Sequence, residues 1–386
     1  MRRWLKRVGV VVMVLAVIAL AIGIWKREEV LRLMAVNSLT SPARVVANFS
    51  NMDALFYTAD MDGGTASPLA AGNAATLPQE FLNWVRERHV TAAVVLSEGV
   101  VVFEDYYQGT SDTDRRISWS MAKSVLSLLL GILHDEGIIP DLDAMVTDYA
   151  PDLRGSAYDG ASIRNVLQMA SGIAFNEDYF DYFSDINRMG RVIALGGSMD
   201  GFAVGQTGRR GDPGGDWLYV SIDTHVLGMV IRGATGHTIP DLISDRILRP
   251  LGLESDPYYV TDGDGVAFVL GGLNMMTRDY ARIGLMVAQG GQWQGQQLVP
   301  TAWIDTSTVA SAPNGAGYGY QWWIPDNAEP GEVYAWGYYG QYIWIDRARN
   351  VVIAVNSTDP GFEEPENHAR AIEMFRTISR QLAAAE

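Results

Sequence analysis

The sequence predicts an α+β fold: one antiparallel sheet assembled from both ends of the chain's body, flanked by helices, plus an inserted, mainly helical lobe over about residues 145–310. Three observations predict it. Apolar residues alternate with period two in Thr91–Ser97 and Val100–Tyr107, joined at Glu98-Gly99 as a hairpin. The same alternation returns near the other end, in Tyr318–Ile324, Tyr334–Trp336, Gln341–Asp346 and Val351–Asn356. Between them, Ser162–Ala170, Thr224–Ala234, Ile239–Ile247 and Thr277–Gln289 follow helical spacing, as does the last segment from about Glu364 to Ala384.

The 386 residues divide into three regions, 1–27, 28–78 and 79–386, of which the last is long enough for two lobes around a sizeable core. Val8 to Trp25 is an uncharged run of 18 residues, about 27 Å long as a helix, preceded by Arg2, Arg3, Lys6 and Arg7. That pattern predicts a transmembrane anchor with a cytoplasmic N-terminus and an exported body. Ala19-Leu20-Ala21 resembles a cleavage site, so a removed signal peptide and a secreted body are the alternative. Residues 28–78, with a Gly/Ala/Ser-rich stretch from Asp62 to Thr76, are expected to form an extended lead-in over the core.

The net charge is −16, and six of the basic residues flank the N-terminal run, so the body is more acidic still. That argues against nucleic acid as a partner, because a phosphate backbone would be repelled. The absence of cysteine excludes disulfides, thiolate metal sites and a Cys nucleophile.

Beyond residue 26 the chain has one lysine, Lys123, although arginine occurs throughout. Arginine serves for surface charge, whereas only a buried ammonium gives up its proton readily. Lys123 follows Ser120 by three residues, at the start of a helix whose Val125, Leu126, Leu128, Leu129, Leu130, Ile132 and Leu133 are apolar nearly all round; Gly137 and Pro140 end it. Residues at i and i+3 share a helix face, so Ser120 and Lys123 meet. Burial favours a neutral amine, and the helix N-terminus favours negative charge on the serine oxygen. The pair reads as an activated nucleophile with its base.

Ser118-Trp119-Ser120-Met121-Ala122-Lys123-Ser124 resembles the first motif of the serine hydrolases of the class C β-lactamase and penicillin-binding-protein type. The branch it looks most like is that of the 6-aminohexanoate-dimer (nylon-oligomer) hydrolases and related carboxylesterases. Leu167-Gln168-Met169-Ala170-Ser171-Gly172-Ile173, Gly271-Gly272-Leu273-Asn274 and Thr277-Arg278-Asp279-Tyr280-Ala281-Arg282 are similar to further family stretches. Asn176-Glu177-Asp178-Tyr179 is similar to a segment supplying a substrate-contacting tyrosine, here Tyr179. Tyr219-Val220-Ser221 fits the second motif and adds Tyr219 to the catalytic set; Ser221 is a candidate substrate contact. The resemblance gives Tyr219 a phenol of lowered pKa that takes the Ser120 proton or activates the deacylating water.

The third motif begins Lys-Thr-Gly in lactamases. Here Ala335-Trp336-Gly337-Tyr338-Tyr339-Gly340-Gln341 aligns by its glycines, so Ala335 replaces the lysine that clamps a penicillin or peptide carboxylate. The backbone N–H groups of Ser120 and Tyr338 remain as an oxyanion hole, and Trp336 and Gly337 as candidate substrate contacts. The resemblance implies a β-lactamase/transpeptidase-like fold and a serine hydrolase of small esters or amides, without metal or organic cofactor. With the N-terminal reading, it implies an inner-membrane-anchored, periplasmic (extracytoplasmic) catalytic body. The alternatives are a β-lactamase, a D-Ala-D-Ala carboxypeptidase-like cell-wall enzyme, or a non-catalytic penicillin-binding-like sensor.

Other signals are set aside. The chain has no G-x-S-x-G elbow, H-E-x-x-H helix or P-loop. Asp262-Gly263-Asp264-Gly265 reads as a turn rather than a calcium loop. His225 is assigned a structural place on its helix over one lining the site, and Glu177, Asp181 and Asp185 a solvated loop, with binding of a substrate ammonium as the alternative.

Overall fold

The structure, a computed structural model, describes residues 2–384. Its main sheet has five strands: β1 (Val90–Ser97), β2 (Val100–Tyr106), β3 (Glu332–Gly337), β4 (Gln341–Asp346) and β5 (Val351–Ser357). Their order is β2-β1-β5-β4-β3, and every pairing is antiparallel. The two ends of the body thus join along β1–β5, where Val94 faces Ala354 and Leu96 faces Val352. The β1–β2 turn is Glu98-Gly99, both with positive φ (48° and 81°), which matches the twist of a tight hairpin.

β1, β4 and β5 are buried on both faces because helices cover both. On one face lies α3 (Thr277–Ala288). A Cβ on its Gly284 would come within 2.6 Å of Val352 and 2.8 Å of Ile343, so a glycine is needed for the helix to sit this close. Behind it runs α1 (Met121–Asp135), buried from Met121 to Leu133. On the other face α4 (Pro365–Ala384) and the helix Gln79–Glu87 form a second apolar cluster, with Trp84 edge-on to Phe375 at 5.6 Å. The helical lobe between the sheet halves includes α2 (Ser221–Thr235), whose buried run extends from Ser221 to Ile231.

Several elements differ from expectation. Tyr318–Ile324 is not a strand but two isolated bridges, Tyr318 to Trp323 and Trp323 to Tyr334; Gln321 between them has φ 65°, which breaks an extended run. Ser162–Ala170 shortens to Ile163–Leu167, capped by Ser162 and stopped where Met169 turns left-handed at φ 55°. Ile239–Ile247 is helical only to Ile243, then widens into a π turn over Ser244–Leu248.

The lead-in is partly helical, over Arg27–Ser38 and Val45–Ser50. Arg32 pins it: Nε donates to Ala194 O at 2.9 Å, and the guanidinium lies 4.0 Å from the Tyr57 ring centre. Thr58–Asp60 and the Gly/Ala/Ser-rich part run extended, and Ala70–Gly72 exchanges hydrogen bonds with Val101 along the open edge of β2.

A four-stranded sheet that the sequence did not reveal joins Thr58–Asp60, Tyr258–Val260, Leu273–Met275 and Arg116–Ile117, in that order. Its strands are two or three residues long and come from distant parts of the chain. Arg2–Trp25 is a helix. The expected membrane anchor is not supported, because among the described residues no helix is long and apolar enough to cross a membrane. Several side chains of the uncharged stretch lie outside the described set.

Candidate active site

The small sheet aims the nucleophile. Arg116 is buried, donating to Val46 O at 2.8 Å and to Thr91 Oγ1 at 3.1 Å, and Ser118 N donates to Leu273 O at 2.7 Å. The chain then turns sharply. Trp119 adopts φ 44°, a left-handed conformation that a tryptophan takes only when its surroundings compel it. Those surroundings are the Phe49 and Tyr338 rings, each 5.4 Å away and edge-on. Ser120 emerges at the start of α1, half-buried and facing a cleft.

One turn on, Lys123 is 1% exposed. Its Nζ shares a 2.7 Å hydrogen bond with Ser120 Oγ and donates to Leu270 O at 2.9 Å. Burial lowers its pKa to about 7, against the opposing pull of the Glu177 charge. An amine with a pKa this low is in part neutral near pH 7 and in that form can take a proton from the serine hydroxyl.

Tyr219 stands immediately before α2, its ring centre 5.2 Å from Lys123 Nζ and stacked on Trp323 at 5.2 Å. Its phenol is pushed up, chiefly by burial and then by Glu177, while hydrogen bonding with Ser120 and Ser221 works the other way. This overturns the lowered pKa expected from the sequence. A phenol raised in this way stays neutral near pH 7, so that it can pass a proton on, and of the two groups Lys123 is the one whose burial suits it to a base.

The end of β3 closes the opposite wall. A Cβ on Gly337 would lie 2.6 Å from Ser118 O and 3.1 Å from Ser120 N, so the strand edge reaches the nucleophile only as glycine. Tyr339 (φ 61°) and Gly340 (φ 80°) then reverse the chain. The N–H groups of Ser120 and Tyr338 lie at the helix start and just past the strand end, outside both ladders. Ala335, on the same face as Gly337, is fully buried in the main core. Among the described residues lining the cleft at Ser120 there is no arginine or lysine.

The cleft has two lobes meeting at Ser120. The larger, about 250 Å³, lies among Glu177, Tyr219, Trp323, Trp336, Phe362 and Glu363. The smaller, about 120 Å³, lies among Trp119, Ile186, Met189, Phe268, Leu270 and Tyr338. Tyr179 borders both, with its ring 4.8 Å from that of Tyr338. Trp336 backs the larger lobe on His368, ring centres 4.2 Å apart. Ser221, expected as a substrate contact, spends its hydroxyl on Glu177.

Glu177 is the residue that sequence reasoning misplaced. It is not on a solvated loop face: its carboxylate lines the larger lobe and accepts from Ser221 N (2.9 Å), the Ser221 hydroxyl and the Tyr179 phenol (2.9 Å). Desolvation raises its pKa, with Lys123 and these hydrogen bonds opposing. Its position two residues before Tyr179 was the available signal. Asp181 and Asp185 do hold an exposed loop, accepting from Phe183 N and Asn176 N. His225 is tied to Asp200 at 2.8 Å away from the cleft, and Asp262 accepts from Asp264 N and Val266 N in a turn.

Residues 82–374 match the Beta-lactamase family model. The chain is similar to the 6-aminohexanoate-dimer hydrolase of Paenarthrobacter ureafaciens, 32% identical over 317 residues that cover 77% of this chain and 80% of that one. Among solved structures, a candidate 6-aminohexanoate-dimer hydrolase from Bacillus anthracis superposes with TM-score 0.80 at 22% identity, covering 89% of this chain and 96% of that one. A family VIII carboxylesterase superposes with TM-score 0.59 at 16% identity, covering 80% of this chain and 99% of that one. A motif-bearing serine one helical turn from a buried lysine, on this fold and with this relative, has one consistent reading: the chain belongs to the β-lactamase family of serine hydrolases.

Proposed function

We propose that the protein hydrolyses small esters or linear amides through an acyl-enzyme on Ser120. The observation that carries this reading is the 2.7 Å contact between Lys123 Nζ and Ser120 Oγ, made by an amine whose pKa burial brings down to about 7. In acylation the Ser120 O–H breaks as its oxygen bonds to the carbonyl carbon, and the proton goes to Lys123. The N–H groups of Ser120 and Tyr338 receive the carbonyl oxygen as it gains charge. Tyr219 relays the proton to the leaving oxygen or nitrogen as its bond to carbon breaks. Water then attacks the acyl group, with the same residues taking its proton and returning one to Ser120.

The lining favours a small, uncharged or amine-bearing substrate. Two glutamates and a set of aromatic rings face the larger lobe, and Ala335 stands where a cation would clamp a carboxylate. That weighs against β-lactams and D-Ala-D-Ala peptides. The basic residues preceding the apolar run favour an extracytoplasmic body.

The test is a panel of p-nitrophenyl esters, linear amides and a chromogenic cephalosporin, run on the wild type and on Ser120→Ala. Ester or amide turnover with fluorophosphonate labelling, both lost in Ser120→Ala, is the expected result. Cephalosporin cleavage rivalling ester cleavage would reject the substrate reading. Labelling without any turnover would favour a sensor.

A further inference from the structure

When Lys123 takes the serine proton it becomes an ammonium in a site with almost no water access, and a lone buried cation is costly. Among the described residues the carboxylate charge that bears on it is that of Glu177, which lines the same lobe as Ser120. We propose that Glu177 is a positioning residue of the acyl transfer: held by Ser221 and Tyr179 in the wall of the larger lobe, its carboxylate offsets the positive charge that Lys123 acquires as Ser120 attacks. The inference rests on the acyl-enzyme reading above and adds a group to which that reading gives no part.

The geometry suits the task. Ser221 N and Oγ and the Tyr179 hydroxyl all donate to the carboxylate, fixing its orientation from two different elements. Ser221 is the first residue of α2, two residues after Tyr219, so one anchor fixes both Glu177 and the proton relay. The hydrogen bonds of the Glu177 carboxylate go to Ser221 and Tyr179, not to Ser120, and the role assigned to it runs through Lys123.

Other titratable groups facing Glu177 are known. Lys123 faces it from α1, and Asp223 from α2. Tyr179 and Asp178 share its loop, with Tyr219 across the lobe. Tyr158 and Tyr318 stand behind these, and Glu363 lies on the far wall. The tyrosines are pushed up by burial and stay neutral through the working range. Lys123 and Asp223 both change charge near pH 7 in answer to Glu177, and of the two only Lys123 is hydrogen-bonded to Ser120, so the acylation limb reads Lys123.

The experiment is the pH profile of kcat/KM for p-nitrophenyl butyrate in the wild type, Glu177→Gln and Glu177→Asp, with Ser120→Ala alongside. Removing the negative charge lets the Lys123 pKa fall further, so the acid limb of Glu177→Gln moves to lower pH by about half a unit or more. Its plateau rate drops about tenfold or more, because the ammonium formed in the transition state is no longer offset. Glu177→Asp keeps the charge and should keep the wild-type acid limb at reduced rate. A Glu177→Gln limb and plateau superimposable on wild type overturn the proposal. Should Glu177→Gln not fold, a Glu177→Asp limb displaced downward by half a unit overturns it instead. Wild-type turnover that survives Ser120→Ala defeats the acyl-enzyme reading itself, a separate result.

Discussion

Lys123→Arg keeps the charge at position 123 and removes its capacity to act as a base. With the Lys123 pKa near 7, about half the wild-type molecules carry a neutral amine at pH 7, falling to ~1% at pH 5. A guanidinium with pKa above ~12 provides fewer than about one molecule in 10⁵ at pH 7. General-base loss of this kind costs about 10²–10⁴ in rate. The assay is the acylation burst of p-nitrophenyl butyrate in stopped flow, backed by fluorophosphonate labelling. The wild-type burst rate should fall about tenfold per pH unit below the midpoint. A Lys123→Arg burst within tenfold of wild type at pH 7 would refute the base assignment. Stability supplies a second readout. The folded pKa lies below the unfolded value of 10.5, so between about pH 7 and 10.5 the unfolded chain holds a proton that the folded one lacks. Stability from this group therefore rises with pH through that window, with a ceiling of about 5 kcal/mol for the full drop and about 3 kcal/mol from pH 7 to 9. Lys123→Met, which fills the site without charge, should flatten that rise and stand firmer than wild type in urea at pH 7. A wild type whose urea midpoint falls from pH 7 to 9 in parallel with Lys123→Met would show that the amine is charged in the folded state.

Tyr219→Phe keeps the stacking on Trp323 and loses only the proton relay, so kcat should fall about 10²-fold or more while the urea midpoint holds; an unchanged kcat would remove Tyr219 from the mechanism. Gly337→Ala places a methyl against Ser118 O and Ser120 N, both backbone atoms at the nucleophile turn, and should cost about 1–3 kcal/mol together with most of the acylation rate. Undiminished acylation in Gly337→Ala would mean that β3 need not approach Ser120 so closely. Asp223 is fully buried, with one carboxylate oxygen unpartnered, and burial raises its pKa to about 7 from 3.8. The folded state keeps this proton longer than the unfolded one. Its stabilising effect is thus complete below about pH 3.8 and is lost as pH rises to about 7, a fall of up to about 4 kcal/mol. Urea midpoints of Asp223→Asn should lose this component between pH 4 and 7, and an unaltered slope would show that Asp223 is ionised throughout.

What was legible in the sequence was whatever local geometry fixes. The Ser120–Lys123 contact follows from helical spacing plus an apolar helix, and the five-stranded sheet from two-residue alternation in segments that pair with near neighbours or along a single junction. The small sheet was not legible because two- and three-residue strands carry no period, and its existence depends on residues 58, 116, 258 and 273 coming together. Tyr318–Ile324 failed for a local reason of another kind: Gln321 accepts a left-handed turn because its buried side chain is clamped by Leu167 O and Thr224. The misreadings of Glu177 and Tyr219 are a single one. A glutamate on a polar loop has no local sign of burial; Ser221, 44 residues away, draws it into the cleft. Once there, its negative charge opposes ionisation of the Tyr219 phenol and supports a proton on Lys123. Motif matching singled out Ser120, Lys123 and Tyr219, which the fold brings together, but without that fourth charge it gave the tyrosine's pKa shift the wrong sign. The charge state of each partner is a property of the assembled cleft: burial keeps the proton on Tyr219 and draws it off Lys123, and the Glu177 charge reinforces the first effect and opposes the second.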